Sequence, residues 1–338
     1  MRIIVDAFGG DNAPLEILKG CEMSVKENGY EIVLSGDEEK IKSCAAENGI
    51  SLENMTIINA SQVVTMDDHP DCILKAKSDS SMAVGMKSLA AGEGDAFVTA
   101  GSTGAAVIGS TFLVKRIKGV KRAALATIMP NDKGGNFMVL DVGANVECRA
   151  EVLVQFGVMG SEYMKAFLGV DNPRIALLNV GTEDTKGGEL QKETFSLLKN
   201  MPLNFIGNVE ARDLLFGAAD VVVCDGFSGN IALKSIEGTA QYLINNLKPV
   251  FKKNLGTIIA YLMLKGSLKD FKKKLDYTEI GGAPLMGIAK PVIKAHGNSK
   301  AKAFKNAIDQ AAVYAKSGAI EKIADVVKKG KDTADENS

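Results

Sequence analysis

Several residues in this chain have the types and spacing that chemistry needs, and most of them sit where an apolar run gives way to glycine. The turns Gly101-Ser102-Thr103-Gly104 and Gly226-Phe227-Ser228-Gly229 each follow such a run and precede a helix-forming stretch. Backbone N–H groups gathered at a turn of that kind, with hydroxyls beside them, suit a phosphate. A glycine there can equally serve only to permit a tight turn, so one loop alone says little and several together say more. Lys186 lies in Glu183-Asp184-Thr185-Lys186-Gly187-Gly188, where a lysine next to glycines can bind an anion as a point charge or simply be solvated. His296, in Lys294-Ala295-His296-Gly297-Asn298-Ser299, has the side chain suited to proton transfer near neutral pH, with a hydrogen-bonded structural histidine as the alternative. Asp6 and Asp11 frame Ala7-Phe8-Gly9-Gly10 and read as loop-holding or helix-capping carboxylates rather than catalysts. Cys148 and Cys224 read as small buried hydrophobes rather than acyl-accepting nucleophiles.

Other chemistries lack their signatures. Neither G-x-G-x-x-G after a strand nor G-x-x-x-x-G-K-[ST] occurs, which speaks against a dinucleotide or ATP site. Ser228 lies in Gly226-Phe227-Ser228-Gly229-Asn230 and not in a G-x-S-x-G elbow, so a serine hydrolase is unsupported. His69 and His296 are the only histidines and belong to no metal-spaced set. The five cysteines are widely spaced without a C-x-x-C pair, as expected in a reducing cytosol. A net charge of −1 supplies no field for a polyanion, so nucleic acid is not an expected partner.

The elements that must hold these residues follow from periodicity. Short β-branched runs at Ile3–Val5, Ile32–Leu34, Met55–Ile58, Phe97–Thr99, Ala124–Ile128, Phe137–Asp141, Ile175–Val180 and Asp220–Cys224 alternate with helix-period segments. That alternation predicts a three-layer α/β/α fold, with a mostly parallel sheet covered by helices on both faces. Ligands of such sheets bind beyond the C-terminal ends of strands, where Asp141-Val142-Gly143-Ala144-Asn145, Asn179-Val180-Gly181-Thr182-Glu183 and Asp225-Gly226 also fall. Asp79-Ser80-Ser81 and Asn12-Ala13-Pro14 read as helix starts. The domain reading is one catalytic α/β unit over 1–327, a projecting amphipathic helical pair at 241–275, and a polar tail at 328–338.

The helical pair departs from the rest. Lys248, Lys252, Lys253, Lys265, Lys269, Lys272, Lys273 and Lys274 flank the apolar run from Leu255 to Leu264. The run is too short to cross a bilayer, which takes about twenty apolar residues. It either lies in a membrane interface with lysines toward anionic headgroups or is buried in a dimer or against the sheet. The start of the chain, Arg2-Ile3-Ile4-Val5-Asp6, reads as a strand and not as a signal peptide, so a cytoplasmic protein is expected.

Eight motifs in order carry a resemblance: Val5-Asp6-Ala7-Phe8-Gly9-Gly10-Asp11, Asp79-Ser80-Ser81-Met82, Thr99-Ala100-Gly101-Ser102-Thr103-Gly104-Ala105, Leu140-Asp141-Val142-Gly143-Ala144-Asn145, Asn179-Val180-Gly181-Thr182-Glu183, Gly207-Asn208-Val209-Glu210, Val223-Cys224-Asp225-Gly226-Phe227-Ser228-Gly229-Asn230 and Gly281-Gly282-Ala283-Pro284-Leu285. From residue 2 to about 315 the chain resembles the bacterial phosphate acyltransferases of phospholipid synthesis. The resemblance implies an isocitrate/isopropylmalate dehydrogenase-like α/β fold shared with phosphotransacetylases, a homodimer, and a cytoplasmic enzyme peripherally associated with the membrane. It implies conversion of acyl-[acyl-carrier protein] and inorganic phosphate into acyl phosphate, which a membrane glycerol-3-phosphate acyltransferase then uses, with no metal or organic cofactor. Asn12, Ser102, Gly188 and the pair Leu74-Lys75 depart from the family's usual residues, His, Asn, Asn and an arginine-containing pair respectively.

Hydrogen phosphate is already a nucleophile at neutral pH, so the protein has mainly to hold it against the thioester and stabilise the oxyanion. On that basis Gly101, Ser102, Thr103 and Gly104 with Lys186 are expected to bind phosphate. Asn145, Asn179, Ser228 and Asn230 are expected to orient the thioester or donate to its oxyanion, His296 or Asp225 to handle protons, and Ile258, Ile259 and Leu262 to contact the membrane. Two rival classes stay open: a dehydrogenase sharing the fold, which predicts NAD binding, and a module that binds acyl chains or carrier protein without turnover.

Overall fold

The computed structural model describes residues 1–251, 253–274 and 281–336. Lys252 and Leu275 of the helical pair fall outside them, as do the side chains of Lys248, Lys269, Lys272, Lys273 and Lys274 and the last two residues of the tail. The elements run β1 (Arg2–Asp6), α1 (Leu15–Asn28), β2 (Glu31–Gly36), α2 (Glu38–Asn48), β3 (Met55–Asn59), α3 (Ser81–Ala90), β4 (Ala96–Thr99), α4 (Thr103–Gly109), β5 (Ala124–Pro130), β6 (Asn136–Leu140), α5 (Ala150–Leu168), β7 (Ile175–Asn179), α6 (Glu189–Lys199), β8 (Phe205–Glu210), β9 (Val221–Val223), α7 (Gly226–Val250), α8 (Leu255–Lys274), β10 (Ala283–Met286), β11 (Val292–Lys294), α9 (Ala301–Lys316) and α10 (Ala319–Glu336). The predicted helix starts are in place: Pro14 immediately precedes α1, and the Ser80 side chain accepts from the Ala83 N–H at the start of α3. Side-chain caps at Asp37, Ser102 and Asp225 start α2, α4 and α7 the same way, each worth about 1 kcal/mol. The polar stretch after Lys328 continues as helix through Glu336.

All eleven strands form one sheet in the order β3-β2-β1-β4-β11-β10-β5-β6-β9-β7-β8. Alternation along the strands sends Ile3, Val5 and Val98 to one face and Ile4 and Phe97 to the other. The first face is covered by α1, α2, α5, α6, α9 and α10; the second by α3, α4 and the opening turns of α7. These three layers are the expected architecture. The pairings are parallel except β11 with β10, β10 with β5, and β5 with β6.

Those three reversals decide where the loops go. Following the directions across the sheet, β1, β4 and β11 end at one edge, whereas β6, β9 and β7 end at the opposite one. The glycine turns read from the sequence as one set of strand ends are therefore two sets. Three strands also lie outside the runs recognised in the sequence: β8, interrupted by Gly207 and Asn208, and the short β10 and β11. Pairing with neighbours that are already in place holds them as strands where local propensity does not.

Candidate active site

At the first edge three loops meet. The Asp11 N–H donates to the Gly297 carbonyl at 2.8 Å, and the Asn12 amide donates to the Asn298 carbonyl at 3.0 Å, so the β1 loop is tied to the loop between β11 and α9. Gly9 packs so tightly on the β4 loop that an added Cβ would lie 2.7 Å from the Gly101 nitrogen and 2.8 Å from Thr99 Oγ1. Beneath them is a row of polar side chains on the second face of the sheet. Pairing of Val5 with Val98 and of Lys294 with Thr99 puts Asp6, Thr99 and Lys294 side by side on β1, β4 and β11. Thr99 Oγ1 donates to Asp6 Oδ2 at 2.7 Å and accepts from the Gly101 N–H at 3.0 Å. Burial raises the Asp6 pKa, opposed by hydrogen bonds from Ser81, Thr99 and the Phe8 and Gly9 amides.

Lys294 is 7% exposed. Its Nζ donates to the carbonyls of Ala295 at 2.5 Å and Ala100 at 3.3 Å, and no carboxylate lies within 4 Å of it among the described residues. Burial lowers its pKa to about 8; Asp6 and Asp11 act against the shift from a distance and Lys234 adds to it. Sequence reasoning missed this residue. The available signal was a lysine placed directly after the strand residues Val292 and Ile293 and two before His296, in a segment whose flanking strands went unrecognised.

The second edge is built around Asp141. Its buried carboxylate accepts from the N–H groups of Leu125, Gly143, Ala144 and Asn145 and from the Asn145 side chain. Asn145 Nδ2 donates to Asp141 and to the Ala123 carbonyl at 2.7 Å, so both of its amide hydrogens are used inside the protein. Asn145 consequently shapes the loop and has no donor left for a thioester oxyanion. Asp225 caps α7, accepting from Ser228 N at 2.8 Å and Ser228 Oγ at 2.9 Å. Asn179 is taken up locally, donating to the Lys186 carbonyl and accepting from Val180 N. Lys186 is exposed, 3.8 Å from Glu183. Burial pushes the Cys148 thiol up to about 12 and holds the Cys224 thiol well above its usual range, so neither is a thiolate near neutral pH.

The two edges are joined by a cleft of about 2070 Å³ whose wall is α7. Phe227, Ser228, Ile231 and Lys234 of α7 face into it, and His296, Asn298 and Ser299 close the end nearest the Asp6–Thr99–Lys294 row. The backbone N–H of Asn298 donates to His296 Nδ1 at 3.3 Å, which places the proton of a neutral imidazole on Nε2. Of the residues expected to act together, the structure brings Ser228 and His296 into this one cleft, with Asp225 just behind Ser228. Asn230 lies on the exposed side of the first turn of α7, against Gly143. Ser102 caps α4, Thr103 is half-buried and Gly104 sits against Pro70. Lys186 is not brought to Gly101: it follows β7, six strand steps from β4 and at the opposite edge, about 29 Å along the sheet at ~4.8 Å per step.

The structure thus offers an α/β framework with a cleft along α7, a buried cation near one end and no ready nucleophile. Its fold is that of the phosphotransacylases and related dehydrogenases. A phosphotransacetylase from Streptococcus pyogenes superposes with a TM-score of 0.62 at 18% identity, covering 95% of this chain and 94% of that one. A 4-hydroxythreonine-4-phosphate dehydrogenase from Klebsiella pneumoniae does so at 0.56 and 12%, over 93% of this chain and 99% of its own. The chain belongs to the fatty acid synthesis protein family, whose model matches residues 1–322. It is 48% identical over 311 residues to the phosphate acyltransferase of Thermoanaerobacterium thermosaccharolyticum, 92% of each chain. With that of Dictyoglomus turgidum the identity is 45% over 336 residues, 99% of this chain and 100% of the relative. The chain is accordingly an acyltransferase.

Proposed function

We propose that the enzyme transfers the acyl group of acyl-[acyl-carrier protein] to inorganic phosphate, giving acyl phosphate for glycerol-3-phosphate acylation. Kinship with phosphate acyltransferases over nearly the whole chain carries this reading, and the cleft fits it. A transferase using a covalent acyl-enzyme needs an activated nucleophile, whereas the thiols near the cleft are held protonated and Ser228 is bonded to a carboxylate, not to a histidine. Direct attack needs no such group. A phosphate oxygen adds to the thioester carbon, the C–S bond breaks, sulfur keeps the electron pair, and the proton of hydrogen phosphate ends on the thiol. In this reading His296 passes that proton and Ser228, on the wall of the same cleft, orients the thioester arm. Gly101, Ser102 and Thr103 border the phosphate end. Hydroxylamine trapping tests the reading: hydroxamate forms from acyl-carrier protein only when phosphate is supplied, and equal consumption of the thioester without phosphate refutes it.

The helical pair supports peripheral attachment to a membrane surface. Within α7 the last buried residue among those described is Leu233, beyond which the helix leaves the sheet and turns back as α8. Ile258, Ile259 and Leu262 are 44%, 54% and 63% exposed in this chain, with Lys253 and Lys265 beside them. Among the described residues no helix is long and apolar enough to cross a membrane. Insertion of the apolar side with lysines at anionic headgroups accounts for both features; burial against a second copy in a homodimer is the competing reading.

A further inference from the structure

We propose that Lys294 is the phosphate-binding cation of the transfer, its ammonium meeting the dianion where the loops after β1, β4 and β11 converge. This rests on the acyl-phosphate reading above and names the group that reading leaves open. An ammonium removed from water is costly unless an anion or several acceptors surround it. Lys294 has only two neutral carbonyls, from Ala100 and Ala295, and its third N–H has no partner among the described residues. The neighbouring carboxylates are engaged elsewhere or out of contact: Asp6 accepts from Thr99, and Asp11 stands beyond 4 Å. Lys234, paired with Glu237 at 2.8 Å, lines the same cleft and offers no free anion to Lys294. Such a site lacks an anion, and the one the reaction supplies is hydrogen phosphate.

The phosphodiester of the carrier's pantetheine arm is the other anion that the substrates bring, and the experiment below separates the two. The three loops around Lys294 pack directly on one another: a Cβ on Gly9 would lie 2.7 Å from the Gly101 nitrogen and one on Gly10 2.8 Å from the Gly297 carbonyl, so their backbones are held in fixed register beside the ammonium. Lys294 precedes by two residues His296, which does line the cleft, so phosphate at the ammonium would be near the group that would relay its proton.

Initial rates with hydroxylamine trapping, varying phosphate and acyl-carrier protein separately, test the assignment in wild type, Lys294→Met and Lys294→Arg. The expected result is a phosphate KM at least tenfold higher in Lys294→Met, partly recovered in Lys294→Arg, with the carrier KM within twofold of wild type. A phosphate KM that does not move overturns the proposal, and so does a rise confined to the carrier KM, which would point to the phosphodiester. Wild-type protein that forms no hydroxamate with phosphate sinks the acyltransferase reading itself; normal wild-type turnover with an indifferent Lys294 sinks only this one. If thermal unfolding shows Lys294→Met to be unfolded, calorimetry on the wild type decides. Inorganic phosphate titrated at pH 8.5 in buffers of different ionisation enthalpy should draw a fraction of a proton onto the protein, because the dianion favours charged Lys294. The groups facing that ammonium are Asp6, Asp11, Lys234 and His296. The absence of uptake overturns the assignment.

Discussion

At the scale of single residues, the buried lysine sets function against stability. Its folded pKa of about 8 lies below the ordinary value of 10.5, so between those values the unfolded chain holds a proton that the folded one has lost. The sign follows: below pH 8 the folded state carries the full cost of a buried charge, and stability recovers as pH rises toward 10.5. Lys294→Met should therefore be more stable than wild type at pH 7, by up to roughly 3 kcal/mol at about 1.4 per pKa unit, and the gap should shrink by pH 10. Urea unfolding of both proteins in phosphate-free buffer at the two pH values checks this; a constant gap would mean that the lysine is neutral or solvated throughout. Lys186 gives the contrasting case. It is exposed, and its strand end is at the other edge of the sheet, so Lys186→Ala should leave the phosphate KM within twofold. The sequence pointed to Lys186 because a lysine among glycines looks like an anion loop, and it hid Lys294 because a lysine inside a short strand looks like an edge residue.

Among the elements, the junction of α7 with the Asp141 loop bears the closest contact. Gly229 lies so near the Asp141 carbonyl that a Cβ has no room, with Cys224 Sγ on its other side. Gly229→Ala should cost 2 kcal/mol or more, in the range of a disturbed core, whereas Gly238→Ala, on the same helix with nothing within 4 Å, should be neutral or gain up to about 1 kcal/mol from helix propensity. Denaturant midpoints separate the two. Eight strands, the starts of α1 and α3 and the helical pair were legible because caps and apolar periods are local properties. β10 and β11 were not: Pro284 follows two glycines, β11 has three residues, and both exist as strands through pairing with β4 and β5, which sequence spacing does not reveal. The reversals on the two sides of β10 cancel, and the antiparallel pairing of β5 with β6 is what splits the glycine turns between edges; pairing of that kind is not written in local spacing, so the composition of the site was visible while its grouping was not.

For the molecule as a whole, the apolar side of α8 either meets lipid or meets another copy. Changing Ile258, Ile259 and Leu262 to Ser or Gln should release the enzyme from anionic vesicles while leaving turnover in solution, because these residues are on α8, none of whose described residues lines the cleft. Loss of folding or dimerisation, with no vesicle binding in the parent, would assign the patch to an ordinary buried interface. The family and layer order were readable from the motifs; the position of the cleft relative to the hairpin was not, since it depends on one helix continuing from the first to the second. Lys234, in the cleft, and Val250, at the end of α7, are sixteen residues apart on that single helix, or about 24 Å at 1.5 Å per residue. α7 is thus a fixed ruler between the reaction and whatever the tip rests on. If that is lipid, a reactive acyl phosphate is made within a few nanometres of the layer where its chain is soluble, and its survival depends on a short step instead of a journey through the cytosol.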